Sequence, residues 1–490
     1  MATFLGIDIG TSSTKGVIAD DQGAILAQAM RRHDISRPHP GWAEMDAHVW
    51  WEEFCSLAKE LIAVAGAPDG VGVSGMGPCV LVTDDEDNPL RPAILYGVDT
   101  RAIEQIQSLE AELGRDAVLD RAGSLLSTQA VGPKLEWLAQ VEPESFAAAR
   151  RLYMPASFLV RRLTDEYTLD HQSASQAVPL YDGQVRDWYR PWVERIAPQL
   201  ELPRLGWAND IAGKVTGAGA RDTGIRPGTP VVFGTIDAWT EAVSVDAHQV
   251  GDLMLMYGTT MFFVNTVGRR VVHPALWGTV GALPDTRSLA AGMATSGAVT
   301  NWMQAIFGGP GFDELTAAAG RSPAGANGLV CLPYFSGERT PIADPSARGV
   351  LIGLTTSHTQ GDLYRAALEG TAMGVRHNIE AFQAAGSVIE RVVAVGGGTA
   401  GGLWAQIVSD VTGVEQVMPT TTIGASYGAA LLVAMALAGA TAQQWNPPAH
   451  IVRPDPTLRA TYDDLFDLYV GLYPATAQIQ HRLADLQARG

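Results

Sequence analysis

Residues Phe4 to Lys15 read Phe-Leu-Gly-Ile-Asp-Ile-Gly-Thr-Ser-Ser-Thr-Lys. A short apolar run (Phe4, Leu5, Ile7, Ile9) carries one carboxylate, Asp8, near its end. Small polar residues follow from Gly10 to Thr14, then Lys15, then a second apolar run, Val17-Ile18-Ala19. The pattern predicts a strand, a tight turn and a returning strand. Gly10 lets the backbone come close to a ligand. The hydroxyls of Thr11, Ser12 and Ser13, the turn N–H groups and Lys15 suit phosphate oxygens. Asp8 can hold a Mg²⁺ ion that accompanies a nucleotide, directly or through water. The alternative is an ordinary hairpin with a polar turn, for which a carboxylate inside an apolar strand is unusual. A Walker A loop and a dinucleotide fingerprint are excluded, because both end in a helix.

Composition limits the rest. At 490 residues the chain is too long for one core, so two large domains are expected. With 47% hydrophobic and only 18% charged residues, it reads as a compact enzyme rather than a disordered chain. A net charge of −18 argues against nucleic-acid binding, which wants a basic face. Cys55, Cys79 and Cys331 are few, far apart and without zinc spacing, as in a reducing cytoplasm. The chain enters a strand at once, without a signal peptide. The Ala-rich stretch Ala425 to Ala438 is too short to cross a bilayer and is expected to be a buried helix.

Further along, a helix is expected at Ala47 to Ala65, with Trp50, Trp51, Phe54, Leu57 and Leu61 on one side. Val71 to Gly75 reads as a buried strand, with Val80 to Thr83 as its continuation. Met254 to Thr260 repeats the opening theme of apolar strand, glycine and hydroxyls, and Met261 to Val264 is the returning strand. Two such hairpins, one per half, imply two similar domains with a ligand clamped between them and a boundary near Asp246 to Gly251.

Four segments bear chemistry. Asp237, in Gly234-Thr-Ile-Asp-Ala-Trp, sits at the exit of a buried strand. There it could align and deprotonate a hydroxyl that attacks a phosphate, or it could simply cap a helix. Gly258 and Thr259 could hold phosphates in the second turn. Gly396-Gly397-Gly398 before a helix suits a flat base or ribose lying on bare backbone. Gly337-Glu338-Arg339 reads as a surface turn. The histidines lack metal spacing, and no Ser-His-Asp arrangement is apparent.

The opening turn resembles the first phosphate loop of actin-like sugar kinases and ATPases, and the chain from about residue 3 to 440 resembles the FGGY carbohydrate kinases. The C-terminal signature of that family reads Gly349-Val-Leu-Ile-Gly353-Leu354, seven residues, then Asp362-Leu-Tyr-Arg-Ala-Ala-Leu-Glu369. The N-terminal signature is met by Lys134-Leu-Glu-Trp-Leu138, with Val131 where a Pro, Ser or Thr is usual. Ser36 to Asp46, Leu90 to Leu95 and Leu332 to Pro341 are closest to the xylulokinase members of the family.

The resemblance implies an α/β fold of two actin-like (ribonuclease H-like) domains with a central ligand cleft. Residues 1–247 would carry the sugar and the first phosphate loop, and residues 248–490 the nucleotide. It implies an ATP-dependent phosphorylation of a sugar hydroxyl, with Mg²⁺. Asp237 matches the catalytic base and Asp8 the carboxylate near the metal. Thr11, Ser12, Ser13 and Lys15 match the first phosphate loop and Gly258-Thr259 the second. Gly297 and Asn301 match positions flanking the nucleotide, and Gly397 and Gly401 the adenosine turn. The sugar pocket departs from the pattern: Gly77 and Pro78 fall where xylulokinase has Met-His, and Ala238 where it has Asn. Asp99 and Arg101 are in phase with a family Asp-x-Arg near the sugar. Partners are therefore a small-molecule sugar and ATP, in a cytoplasmic protein without nucleic acid or membrane, with a homodimer as a compatible assembly. The rival readings are a kinase for another ketose or a polyol, a non-catalytic sugar-binding relative, and a polymer- or peptide-moving ATPase.

Overall fold

The structure, a computed structural model, describes residues 1–487. It divides into two compact units, and neither is contiguous. The first comprises Met1–Val250, Gly268–Ser288 and Ile423–Pro447. The second comprises Gly251–Val267, Leu289–Thr422 and the chain from Pro448 onward.

The first unit is built on a mixed sheet. Its strands are β1 (Thr3–Ile9), β2 (Ser13–Asp20), β3 (Ile25–Arg32), β4 (Gly70–Gly75), β5 (Ile211–Lys214), β6 (Pro230–Val232) and β7 (Thr235–Ile236), in the order β5-β6-β4-β1-β2-β3, with β7 also on β4. The expected hairpin is β1–turn–β2, antiparallel, and β4 pairs parallel to β1. In this register Lys15 and Ser74 flank Asp8 on either side, and Thr235 lies beyond Ser74. One row across four strands thus carries the first candidate site residues.

Each sheet face is covered by a helix whose sequence explains it. The helix Ala47–Ala65 begins where the Asp46 side chain accepts the His48 N–H at 2.9 Å, and it buries Trp50, Phe54, Leu57 and Leu61. The helix Ala425–Ala438 buries every residue from Ala425 to Ala434. It lies so close to the sheet that a Cβ on Gly72 would stand 1.8 Å from the Ala429 carbonyl oxygen, and one on Gly6 2.0 Å from that of Ser426. Leu81–Thr83 does not continue β4. It pairs with Arg151–Tyr153 in a separate ribbon, because the chain turns away at Met76 to Cys79.

The second unit repeats the plan with β8 (Asp252–Tyr257), β9 (Met261–Val267), β10 (Arg287–Met293), β11 (Arg391–Val395), β12 (Gln416–Pro419) and β13 (Pro448–Val452). Their order is β10-β9-β8-β11-β12-β13. The hairpin β8–β9 is antiparallel, β11 is parallel to β8, β12 is parallel to β11, and β13 is antiparallel to β12. That matches the sequence of pairings β1–β2, β1–β4, β4–β6 and β6–β5 in the first unit. A helix Gln360–Ala384 opens on a capping box between Thr359 and Asp362. One helix, Arg459–Gln487, closes the described chain, where the sequence predicts one or two helices from about Asp463 to Ala488; Ala488 lies outside the described residues. Among the described residues no helix is long and apolar enough to cross a membrane.

Gly72→Ala should cost about 1–3 kcal/mol or more, because the clash is with backbone that cannot rotate away. A fall in melting temperature of several degrees, absent in Gly320→Ala, whose added Cβ meets nothing within 4 Å and whose backbone is helical, checks it.

Candidate active site

The turn between β1 and β2 is held from below. Gly10 donates its N–H to the Ser13 carbonyl at 3.0 Å. The His33 ring spans the Gly10 carbonyl at 3.0 Å and the Glu53 carboxylate at 2.9 Å, and the Thr14 hydroxyl donates to the same Glu53 oxygen at 2.5 Å. Thr11 Oγ1 lies 2.8 Å from the Tyr96 hydroxyl. Ser12 and Lys15 are exposed. A turn fixed this way presents its free hydroxyls without further ordering cost. His33 and Glu53 carry no motif, so nothing in the sequence marked them.

Three carboxylates of the first unit influence one another electrostatically. Asp8 is 8% exposed, and its Oδ1 is buried without a hydrogen-bond partner. Asp237 is the first residue of the helix Asp237–Ser244; the cap position belongs to Ile236, and Asp237 Oδ1 accepts the adjacent Ala238 N–H at 2.7 Å. Glu241 lies one turn further along that helix. Burial pushes the Asp8 carboxyl up, against the Ser74 hydroxyl and the Lys15 charge, which lower it. Burial also raises Asp237, and the negative charges of Asp8 and Glu241 raise it further. Glu241 is pushed up to about 7, by burial first and then by Asp8. Buried like charges of this kind call for a cation. The orphaned Asp8 oxygen fits a Mg²⁺ ion, directly or through water. Among the described residues no group of three His, Cys, Asp or Glu side chains is arranged to hold a metal alone. Mg²⁺ habitually keeps waters and substrate phosphates in its shell, so such a cage is not needed.

The sugar-side residues take two different positions. A Cβ on Gly77 would meet Ile236, the neighbour of Asp237, at 2.8 Å, so the Gly77-Pro78 loop packs at the root of the Asp237 helix. Asp99 and Arg101 are spent on structure. Asp99 accepts the Ala43 N–H at 2.6 Å, the Arg101 backbone N–H at 3.1 Å and the Arg101 guanidinium at 2.8 to 3.0 Å. Arg101 also bonds Glu44 at 2.7 Å and lies 4.0 Å from the centre of the Trp42 ring. In-phase spacing could not distinguish a buried ion pair from a pocket pair. Lys134, by contrast, is 1% exposed with its Nζ unpartnered, and burial lowers its ammonium to about 8. Its place in the signature was the only signal.

In the second unit the turn Gly258–Thr260 is clamped to the helix Gly297–Ile306. The Gly297 N–H donates to the Gly258 carbonyl at 2.9 Å, and the Ser296 and Ala298 N–H groups both donate to that of Thr259 at 3.0 Å. A cavity of about 450 Å³ opens beside it, lined by Gly258, Thr259, Gly297, Asn301, Gly397 and Gly401 among others. The structure thus gathers all six of these sequence candidates around one space. Gly396 turns the chain with φ +94°, where a Cβ would strike the Tyr257 carbonyl. At Gly397 a Cβ would meet nothing within 4 Å, and at Gly401 only Thr316 at 3.9 Å, so both leave backbone bare to the cavity. The Gly337 loop is not a surface turn. Glu338 is 4% exposed and accepts the Ala294 and Arg339 N–H groups at 2.7 and 2.8 Å, and burial pushes it up to about 7.

Comparison with known proteins gives the family. Models of the N-terminal and C-terminal domains of the FGGY family of carbohydrate kinases match residues 3–244 and 253–437. The chain belongs to this family, and it is therefore a sugar kinase, transferring a phosphoryl group from ATP to a sugar hydroxyl. Xylulose kinase from Escherichia coli (strain K12) is 30% identical over 88% of this chain and 90% of its own length. The crystal structure of xylulose kinase from Rhodospirillum rubrum superposes with a TM-score of 0.92 at 30% identity, covering 98% of this chain and 100% of that one. Gluconate kinase from Lactobacillus acidophilus shares the fold at TM-score 0.90 and 22% identity, over 97% of this chain and 98% of its own.

Two outcomes follow. Glu241→Gln removes a negative charge that opposes ionisation of Asp237, so the acid limb of the kcat/KM profile against pH should move to lower pH. An unmoved limb would show that Asp237 does not feel Glu241. Gly397→Val should leave the melting temperature within about 1 °C but raise KM for ATP about tenfold, ~1.4 kcal/mol, since its side chain fills open cavity rather than core.

Proposed function

We propose that this chain phosphorylates a ketose, with xylulose as its first candidate substrate, using Asp237 as the base. What carries the reading is the Asp237 carboxylate at the head of its helix, raised by burial and by Asp8 and Glu241, so that it can take a proton near neutral pH. The xylulose kinases of E. coli and R. rubrum, each 30% identical, supply the substrate class. The Gly77, Pro78 and Ala238 departures leave the pocket without the side chains expected there, which favours testing other ketoses, polyols and aldonates beside it.

In this reading Asp237 orients the attacking hydroxyl and accepts its proton as the oxygen bonds to the γ-phosphorus. Thr11, Ser12, Ser13 and Lys15 of the first turn and Gly258-Thr259 of the second hold phosphate oxygens. The cavity beside Asn301, Gly397 and Gly401 takes the nucleoside. Asp8 would hold the Mg²⁺, whose contribution when bound is to neutralise charge on the phosphates. The hydroxyls of the sugar meet Gly77-Pro78 backbone rather than side chains.

Asp237→Ala should lower turnover at least a hundredfold while ATP affinity, measured by calorimetry, stays within about twofold, because the cavity in the second unit contains no part of the Asp237 helix. More than a tenth of wild-type turnover would assign the base elsewhere. A coupled assay across pentuloses, hexuloses, polyols and aldonates should give the highest kcat/KM for xylulose; a polyol or aldonate that exceeds it tenfold would replace that substrate.

A further inference from the structure

A surface helix needs one apolar stripe, facing its own core, and the helix Arg459–Gln487 carries two. The first, with Tyr462, Phe466, Tyr469 and Ala484, is buried in the second unit. The second runs through Leu465, Leu468, Leu472, Ala475 and Ile479 to Leu483 and Leu486, in steps of three or four residues. That is the heptad spacing by which one helix pairs with another. Leu468 is 61% exposed, Ile479 62% and Leu486 56%, and Pro474 falls outside the stripe. We propose that this stripe is the interface between two copies of the chain, with the two helices antiparallel about a two-fold axis beside the bond between Tyr473 and Pro474.

Size and charge both select a second copy in that orientation. Leu468 and Ile479 are equidistant from the bond between Tyr473 and Pro474, and so are Leu472 and Ala475. A two-fold axis there sets Leu468 against Ile479 and the large Leu472 against the small Ala475, so the stripe is its own complement when reversed. The charges obey nearly the same centre. Asp464 and Arg482, equidistant from Tyr473, are the charged residues that flank the stripe. Both are exposed, and neither has an ion-pair partner among the described residues. An antiparallel pair brings each Asp464 beside the Arg482 of the other copy, twice in the dimer. A parallel pair would set Asp464 against Asp464 and Arg482 against Arg482, which like charges oppose.

At its start the stripe meets further apolar surface. A Cβ on Gly325 would stand 3.1 Å from Leu465, and one on Gly353 would stand 2.2 Å from the Gly328 carbonyl, so the turn from Gly325 to Gly328 joins the helix to the segment around Gly353. Ile352 and Leu354, on either side of Gly353, are both exposed. The reversed helix of a second copy ends over this region with its Leu483 and Leu486. The two-fold axis repeats the contact, so each copy contributes the helix and this flank. Removing these side chains from water drives the association, and the paired charges fix its direction.

Sedimentation equilibrium of the whole protein should give two chains per particle. Ile479→Asp sets a carboxylate against Leu468 of the second copy, and it should give one chain per particle with an unchanged far-ultraviolet circular dichroism spectrum. Arg482→Glu and Asp464→Arg, milder changes on the exposed flank, should each weaken association about tenfold at low salt. The double variant Asp464→Arg, Arg482→Glu exchanges the two signs and should return the dissociation constant to within about twofold of wild type. A wild-type monomer would overturn the proposal. So would a dimer that Ile479→Asp leaves intact, which puts the interface on another face. A double variant as weak as the two single ones would rule out the antiparallel pairing.

Discussion

The helix Ala425–Ala438 touches three things that the chemistry needs, and each contact is made at a glycine. Gly72 and Gly6 let it lie against β4 and β1, and its own Gly428 lies against the Thr240 carbonyl, 2.0 Å from where a Cβ would be. β1 ends at the phosphate turn and carries Asp8, and Thr240 belongs to the helix headed by Asp237. A single close approach thus fixes the strand that bears one carboxylate against the helix that bears the other. At Gly424, which precedes this helix, the space a Cβ would occupy is 3.5 Å from Glu241, so the third carboxylate lies beside the start of the same helix. Backbone against backbone tolerates little displacement, and this gives the constellation its precision.

That precision carries an electrostatic cost. Asp8, Asp237 and Glu241 all resist ionisation as folded, so the empty site is less stable at neutral pH than three exposed carboxylates would be. The sign follows from linkage. A carboxyl raised above its unfolded value contributes its stability at low pH and loses it as pH rises through the raised value. Strain of this sort is ordinary in sites that must bind cations and move protons. Elsewhere in the same unit buried charges are neutralised outright, as in the Asp99–Arg101–Glu44 cluster under Trp42.

Much of the plan was legible because two features repeat. The strand–glycine–hydroxyl–strand pattern occurs at Phe4–Ala19 and again at Leu253–Val264, and a hairpin needs only local turn chemistry and period-two alternation to declare itself. Gly397 was readable as bare backbone and Gly258 as a phosphate turn, and the family resemblance pointed to Gly297 and Gly401, before all four were seen around one cavity. Other residues carried no local sign. Glu338 was read as exposed because it follows a glycine in a polar run, yet the fold buries it against the Ala294 N–H. Asp99 and Arg101 looked available and are paired. His33 and Glu53 hold the first turn from positions distant in the chain.

The amino-acid sequence by itself determined the two hairpins, the carboxylate at the end of each relevant element and the family, since these rest on short-range pattern and on the order of motifs. Only the tertiary structure decided which residues share a unit. The chain from Ile423 to Pro447 returns to the first sheet more than 400 residues after it began. Burial and charge coupling depend on what lies across that distance, and no spacing along the chain encodes it.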